Sequence, residues 1–184
     1  MDNKRTCLHL GCGKKTINGY INVDIQNFDN IDLCADIKNL PFGPNTIDEI
    51  YSCAAIEHFG RREWKEVVAH WRSLLKKDGI LRLSTADFSA ACHEYIENKD
   101  ISKLFGLIVG GQKDQTDYHG MIFDFAFLKT ELEKIGFVDI QRYDWKTFKA
   151  FKIANYDDYS RSYLPHMDFE NGRLMMLNIT CRKK

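Results

Sequence analysis

The sequence predicts a doubly wound α/β domain, and two observations carry that reading. Short apolar runs recur along the 184 residues, separated by loops and by stretches of helical periodicity. Near the start, LHLGCG (Leu8 to Gly13) breaks off in two glycines, and the next run, in INVDI, delivers Asp24 at its end. Strands alternating with helices imply a parallel sheet covered on both faces, and such sheets bind ligands at the carboxyl ends of their strands.

Each element follows from local pattern. Leu8 and Leu10 suit a buried strand; Gly11 and Gly13 lack a Cβ, so the backbone there can turn tightly and lie against a ligand. Tyr20 to Val23 reads as the second strand and Ile31 to Asp36 as the third, each with an acid at its end. Pro41 and the Gly43-Pro44 pair exclude regular structure before the fourth strand, Ile47 to Cys53, and Glu57-His58 lie just beyond it. The clearest helix is Arg61 to Lys77, where Trp64, Val67, Val68, Trp71, Leu74 and Leu75 form one apolar stripe. Lys76 and Lys77 suit its negative end, and Gly79 reads as its stop.

A strand from Gly79 to Asp87 follows, then helical stretches at Phe88 to Asn98 and Ile101 to Val109. Gly110 to Gly120 is polar and has no apolar stripe to bury. Asp124 caps a helix whose Phe125, Leu128, Leu132 and Ile135 share a face, with Gly136 as terminator. Phe137 to Trp145 reads as a strand, Phe148 to Asn171 as irregular and aromatic, and Arg173 to Lys183 as the final strand. With no helical pattern between these last two strands, the final one is expected to be antiparallel and inserted at the sheet's edge.

Composition narrows the function. Lysine plus arginine equals aspartate plus glutamate, 26 each, so no charge excess points to nucleic acid or an anionic membrane. No apolar run approaches the ~18 residues of a membrane span, and MDNKRTC has no signal-peptide core. A single-domain, cytoplasmic protein is the expectation. The six cysteines (7, 12, 34, 53, 92 and 181) lack C-x-x-C spacing and read as buried free thiols. His166 and Asp168 have no third ligand at a defined spacing, so no metal is expected. Tyr156, Tyr159, Tyr163 and Phe169 either stack on a sugar or ring or line the underside of a long loop; the loop is favoured.

The ordered set LHLGCG, INVD, AD with LPF, D-x-I-Y-S with Glu57-His58, LLKKDGILRLSTAD, DYHGMIFD, LEKIGF and LNITCRK resembles the class I S-adenosylmethionine-dependent methyltransferases. It is most similar to a compact group linked to surface-carbohydrate biosynthesis. The resemblance spans Cys7 to Lys183. It implies a Rossmann-like, mostly parallel seven-stranded sheet in the order 3-2-1-4-5-7-6, the last strand antiparallel, with a shortened first helix. It also implies S-adenosylmethionine as cofactor and a small-molecule acceptor such as a sugar.

Carried over residue by residue, Leu10, Gly11, Cys12 and Gly13 lie along the methionine part and ribose of the cofactor. Asp24 holds the ribose hydroxyls with Ile25 beside it, and Asp36 accepts the adenine amino group with Ile37 against the ring. Ser52, Cys53 and Ala54 flank the methyl donor, and His58 stands just beyond. Two departures stand out. His9 occupies the place of the acid that usually precedes the glycine loop, and the crossover from Gly13 to Asn22 is too short for a full helix. Lys14 or Lys15 is therefore a candidate to meet the methionine carboxylate.

A hydroxyl acceptor profits from a base, and His119 and His58 are the candidates because imidazole titrates near neutrality. The Gly110 to Gly120 segment is expected to wall the acceptor and carry His119, while Cys12 is expected to be structural. A nicotinamide oxidoreductase would want glycine where Thr16 stands and an acid further on than Asp24. A non-catalytic module of the same fold that binds S-adenosylmethionine stays open as the alternative.

Overall fold

The computed structural model describes residues 5–152 and 156–184. Its strands are β1 (Cys7–Leu10), β2 (Ile21–Asp24), β3 (Leu33–Cys34), β4 (Ile47–Cys53), β5 (Leu75–Ala86), β6 (Phe137–Arg142), β7 (Tyr163–Leu164), β8 (Arg173–Leu174) and β9 (Met176–Lys183). Seven of them form one sheet in the order β3-β2-β1-β4-β5-β9-β6, and β7 and β8 form a separate hairpin. Neighbours from β3 through β5 pair in parallel, and β9 runs antiparallel between β5 and β6. The expected order is observed, with β9 as its seventh strand.

Among the described residues, four α-helices accompany the sheet: α1 (Glu63–Leu74), α2 (Phe88–Asn98), α3 (Phe105–Val109) and α4 (Phe125–Ile135). The stripe Trp64, Val67, Val68, Trp71 and Leu74 is buried in one core with Leu8, Leu10 and Ile50 of the sheet and with Leu128 and Leu132 of α4. Burying one large apolar side chain stabilises by roughly 1.5–3 kcal/mol, so this stripe decides how α1 seats on the sheet. Asp124 caps α4 by accepting from the Phe127 amide at 2.8 Å, and Gly136 ends it in the left-handed region. Among the described residues no helix is long and apolar enough to cross a membrane.

Several boundaries differ from expectation for tertiary reasons. α1 ends at Leu74, not Lys77, because Leu75 already pairs with Ile47 and Lys76 bonds Asp48 at 2.8 Å. Gly79 lies inside β5, and a Cβ there would stand 2.8 Å from the Lys76 carbonyl. β3 shrinks to two residues at the sheet edge, where it pairs with β2 alone among the described residues. β6 stops at Arg142, since Asp144 caps a 3-10 turn at Trp145–Thr147. The final strand is broken at Met175, whose amide leaves the ladder for the Ser162 carbonyl.

The sheet's other face is unusual. Residues 11–20 make turns and no helix, as the short crossover requires. The segment that reads as irregular supplies the cover instead, with 3-10 turns at Trp145–Thr147, Lys149–Lys152 and Tyr159–Arg161. Its Phe148 and Ala150 pack with Ile17, Tyr51 and Cys53. Beneath it, buried Glu49 accepts from Arg5, Tyr20 and Arg82 at 3.0, 3.1 and 2.9 Å, which satisfies a carboxylate that could not otherwise be buried. Trp145, Tyr163 and Phe169 cluster here, so most of the aromatics are packing, while Tyr159 stays 64% exposed. Cys7, Cys12, Cys53 and Cys181 are buried free thiols, but Cys34 is exposed because β3 is an edge strand.

Candidate functional site

The turn after β1 wraps the Val23 carbonyl, which accepts from the amides of Gly11 and Cys12 at 2.9 and 3.1 Å. Gly11 and Gly13 have φ of +66° and +54°, a region that side chains with a Cβ enter at a cost. A Cβ on Gly11 would stand 3.0 Å from the Ala55 Cβ, whereas one on Gly13 would meet nothing. Gly11 thus allows close packing against the segment after β4, and Gly13 leaves open space above the turn.

Asp24 ends β2 facing that space. Its carboxylate accepts from the Gly13 amide at 2.8 Å and the Gln26 amide at 2.9 Å. Asp36 stands beyond β3, accepting from the Lys38 amide at 2.9 Å, and the Trp71 indole donates to the Ile37 carbonyl at 2.8 Å, so α1 holds this corner. Gly11, Gly13, Asp24, Ile25, Asp36, Ile37, Ala54 and His58 all border one open groove of about 520 Å³. Its far wall is the segment Lys113 to Asp117.

An adjoining groove of about 370 Å³ is bordered by His9, Cys12, Lys14, Lys15, Cys53, Asp157 and Asp158. Gly11, Gly13 and Ala54 border both, so the two grooves meet at the glycine turn. Ala54 sits there at φ +52°, unusual for a residue with a Cβ, and its amide donates to the Ser84 carbonyl at 2.8 Å. Leu10 and Ser52 border neither groove. They lie fully beneath the surface, where the Ser52 hydroxyl donates to the Leu10 carbonyl at 3.2 Å and ties β4 to β1.

The two lysines after the turn are otherwise engaged. Lys15 pairs with Asp157, and the Lys14 ammonium lies 5.7 Å from the centre of the Phe28 ring. Lys15 is thus matched by a carboxylate of this chain, while Lys14 borders the 370 Å³ groove with no ion pair among the described residues. Burial, then the nearby Asp24 charge, pushes the Cys12 thiol up to about 12, and burial also raises Cys53, so neither thiol is a ready nucleophile.

His58 and His119 meet edge to face with ring centres 4.9 Å apart. The Nδ1 of His58 lies 3.1 Å from the Tyr118 carbonyl, and that of His119 lies 3.2 Å from the Leu107 carbonyl. Carbonyls only accept, so each Nδ1 donates and each neutral ring keeps its lone pair on Nε2. Burial, then the neighbouring His58, lowers the His119 pKa from its ordinary value. His58 borders the 520 Å³ groove, and His119 stands behind it. The Gly120 and Met121 amides donate to the Glu57 carbonyl at 2.8 and 3.1 Å, fastening the polar segment beside the groove.

Sequence reasoning missed Asp157 and Asp158, and weighed their neighbours Tyr156 and Tyr159 only as stacking or packing residues. Asp158 accepts from the Tyr51 hydroxyl at 2.5 Å, the Tyr156 hydroxyl at 2.7 Å and the Ser160 amide at 2.9 Å. The one local signal is Asp158-x-Ser160, which reads as an ordinary cap. His9 was noted only as a departure, and it proves to be a groove residue.

Residues 17–83 match a family described as methyltransferase domain. No curated protein matches the chain. Among solved structures, an S-adenosylmethionine-dependent methyltransferase from Archaeoglobus fulgidus is similar at a TM-score of 0.60 and 16% identity, covering 98% of this chain and 87% of that one. A proposed methyltransferase of the same kind from Listeria monocytogenes gives 0.55 and 15%, covering 99% and 92%. The YcgJ protein of Bacillus subtilis gives 0.54 and 14%, covering 98% and 92%. With its strand order, the antiparallel β9 and grooves at the carboxyl ends of β1, β2 and β4, the chain has the class I methyltransferase fold.

Proposed function

We propose that the chain is an S-adenosylmethionine-dependent methyltransferase that methylates a hydroxyl of a small-molecule acceptor. The observation that supports it most is the placement of Asp24 and Asp36, at the ends of neighbouring strands and facing one groove with the glycine turn between them. A ribose diol offers two donors to Asp24, and an adenine amino group suits Asp36, with Ile25 and Ile37 as apolar flanks. The space left open over Gly13 fits a nucleoside lying against the backbone.

When bound, the cofactor supplies a methyl group on a sulfonium already activated for in-line displacement. The chain's share is then mainly alignment, an effect that can reach roughly 7–11 kcal/mol. Ala54 and Gly11, where the grooves meet, are placed to position the reacting end. The proton of the hydroxyl goes to the His58–His119 pair, through an Nε2 lone pair that the Nδ1 contacts leave available. General-base help of this kind is typically worth about 10²–10⁴-fold. A sugar, of the surface-carbohydrate kind the resemblance points to, also suits the polar side chains from Lys113 to Asp117.

The test is incubation with methyl-labelled cofactor and a panel of sugars, sugar nucleotides, other small molecules and proteins. Label transferred to a sugar hydroxyl is the expected outcome. Cofactor binding with no transfer to any acceptor would favour a non-catalytic module.

A further inference from the structure

Asn22 determines the hydrogen position on His9. The Asn22 amide nitrogen donates to the Ile17 and Tyr20 carbonyls and to Asp32, at 3.2, 3.1 and 2.8 Å, and its oxygen accepts from the Ile17 amide at 2.7 Å. The side-chain amide therefore has one orientation, and its oxygen faces His9 Nδ1 at 3.1 Å. Nδ1 must donate, which leaves the lone pair of the neutral ring on Nε2. His9 is 2% exposed, borders the 370 Å³ groove, and its Nε2 has no hydrogen-bond partner among the described residues.

A carboxylate shares that groove. Asp158 is held by two tyrosine hydroxyls, the Ser160 amide and the Ser160 hydroxyl. Those donors keep it in place, and none of them carries a positive charge. The nearby cations, Lys15 and Arg161, pair with Asp157 instead. Lys14, which also borders the groove, lies over the Phe28 ring, and among the described residues no cation pairs with Asp158, a half-buried negative charge beside a nearly buried acceptor without a donor. One ligand group answers both: an ammonium, which has N–H to give and a charge to place.

We propose that His9 and Asp158 form a recognition site for an ammonium group, the ring accepting an N–H and the carboxylate supplying the countercharge. The proposal rests on the function proposed above, where that group is the α-ammonium of the cofactor's amino-acid part. The segment from Tyr156 to Ser160 then replaces the acid that His9 displaces from the glycine loop. It also makes the cover of the sheet's second face part of the binding site.

The test compares ligands as well as variants, with binding read by calorimetry and no turnover needed. S-adenosylhomocysteine carries the ammonium, its desamino analogue lacks only that group, and 5′-methylthioadenosine lacks the whole amino-acid part. The wild-type protein is expected to bind S-adenosylhomocysteine on the order of tenfold more tightly than the desamino analogue. Asp158→Asn, and His9→Asn, which keeps a donor where Nδ1 stands, should each shrink that ratio and leave 5′-methylthioadenosine binding unchanged. Equal affinity of the wild-type protein for S-adenosylhomocysteine and its desamino analogue would overturn the ammonium site, and that comparison needs no variant to fold. A ratio untouched in both variants would overturn the assignment to these two residues. Binding of none of the three ligands would instead overturn the cofactor reading, and the ammonium site with it.

Discussion

The Gly13 amide donates to the Asp24 carboxylate across 2.8 Å, so the glycine turn and the end of β2 form one hydrogen-bonded unit. Asp24→Asn removes the charge while keeping the shape. Loss of one charged hydrogen bond costs about 1.5–3 kcal/mol, so affinity for S-adenosylhomocysteine should fall roughly 10- to 100-fold. Calorimetry on the folded variant checks this, and unchanged affinity would remove the ribose from Asp24.

The two glycines of the turn should differ in their tolerance. Both need positive φ, which costs an alanine about 1 kcal/mol or more, but only at Gly11 does the new Cβ also press on Ala55, at 3.0 Å. Gly11→Ala should lower the unfolding free energy, read from urea denaturation, by about 1 kcal/mol more than Gly13→Ala does. Equal losses would mean that the segment after β4 yields freely.

Burial pulls the His9 pKa down to about 4, well below its ordinary value. Between pH 6.5 and 4 the unfolded chain therefore holds a proton on this ring that the folded chain does not. Stability rises with pH across that window and falls as the solution is acidified, by about 3 kcal/mol from this residue when fully expressed. Denaturation of the wild type and His9→Asn at pH 7 and pH 4 measures it. The variant should lose less stability on acidification.

Turnover should rise with pH through an apparent pKa lower than an isolated histidine's, because burial and His58 both disfavour charge on His119. If His119 is the base, His58→Ala keeps this limb and moves it upward; if His58 is the base, the limb disappears. The two rings stand close enough that the observed value belongs to the pair. His119→Ala should lower kcat strongly while leaving S-adenosylhomocysteine affinity alone, and near-normal kcat would return that ring to a structural role.

Cys12 should be silent chemically despite lying in the turn. With its pKa pushed up to about 12, almost no thiolate exists at neutral pH. Iodoacetamide should label exposed Cys34 well before Cys12, and Cys12→Ser should retain both binding and turnover. Loss of turnover alone in that variant would show that the thiol takes part.

Much of this architecture is written locally. The stripe Trp64, Val67, Val68, Trp71 and Leu74 announces α1, and Asp124 with Gly136 bounds α4. The strand-end acids, Asp24 and Asp36, mark the groove because a turn after a strand places its residues at the sheet's ligand-binding edge. Periodicity and turn chemistry act over a few residues, so a single sequence displays them. That is why the sheet and several residues bordering the 520 Å³ groove were legible.

Other features depend on partners far apart in the chain. α1 yields Leu75 to the sheet because pairing with Ile47 outweighs the helical stripe that includes it. Lys15 looks free in the sequence and is taken by Asp157, 142 residues away. Asp158 reads as a cap until Tyr51, 107 residues away, brings its hydroxyl to the carboxylate. His9 reads as a missing acid until Asn22 orients its ring. The sequence by itself determined the strand order's raw material, the glycine turn and its two acids. Only the tertiary structure decided which charges are matched, which histidine nitrogen is available and what covers the second face, because those depend on distances that no local pattern encodes.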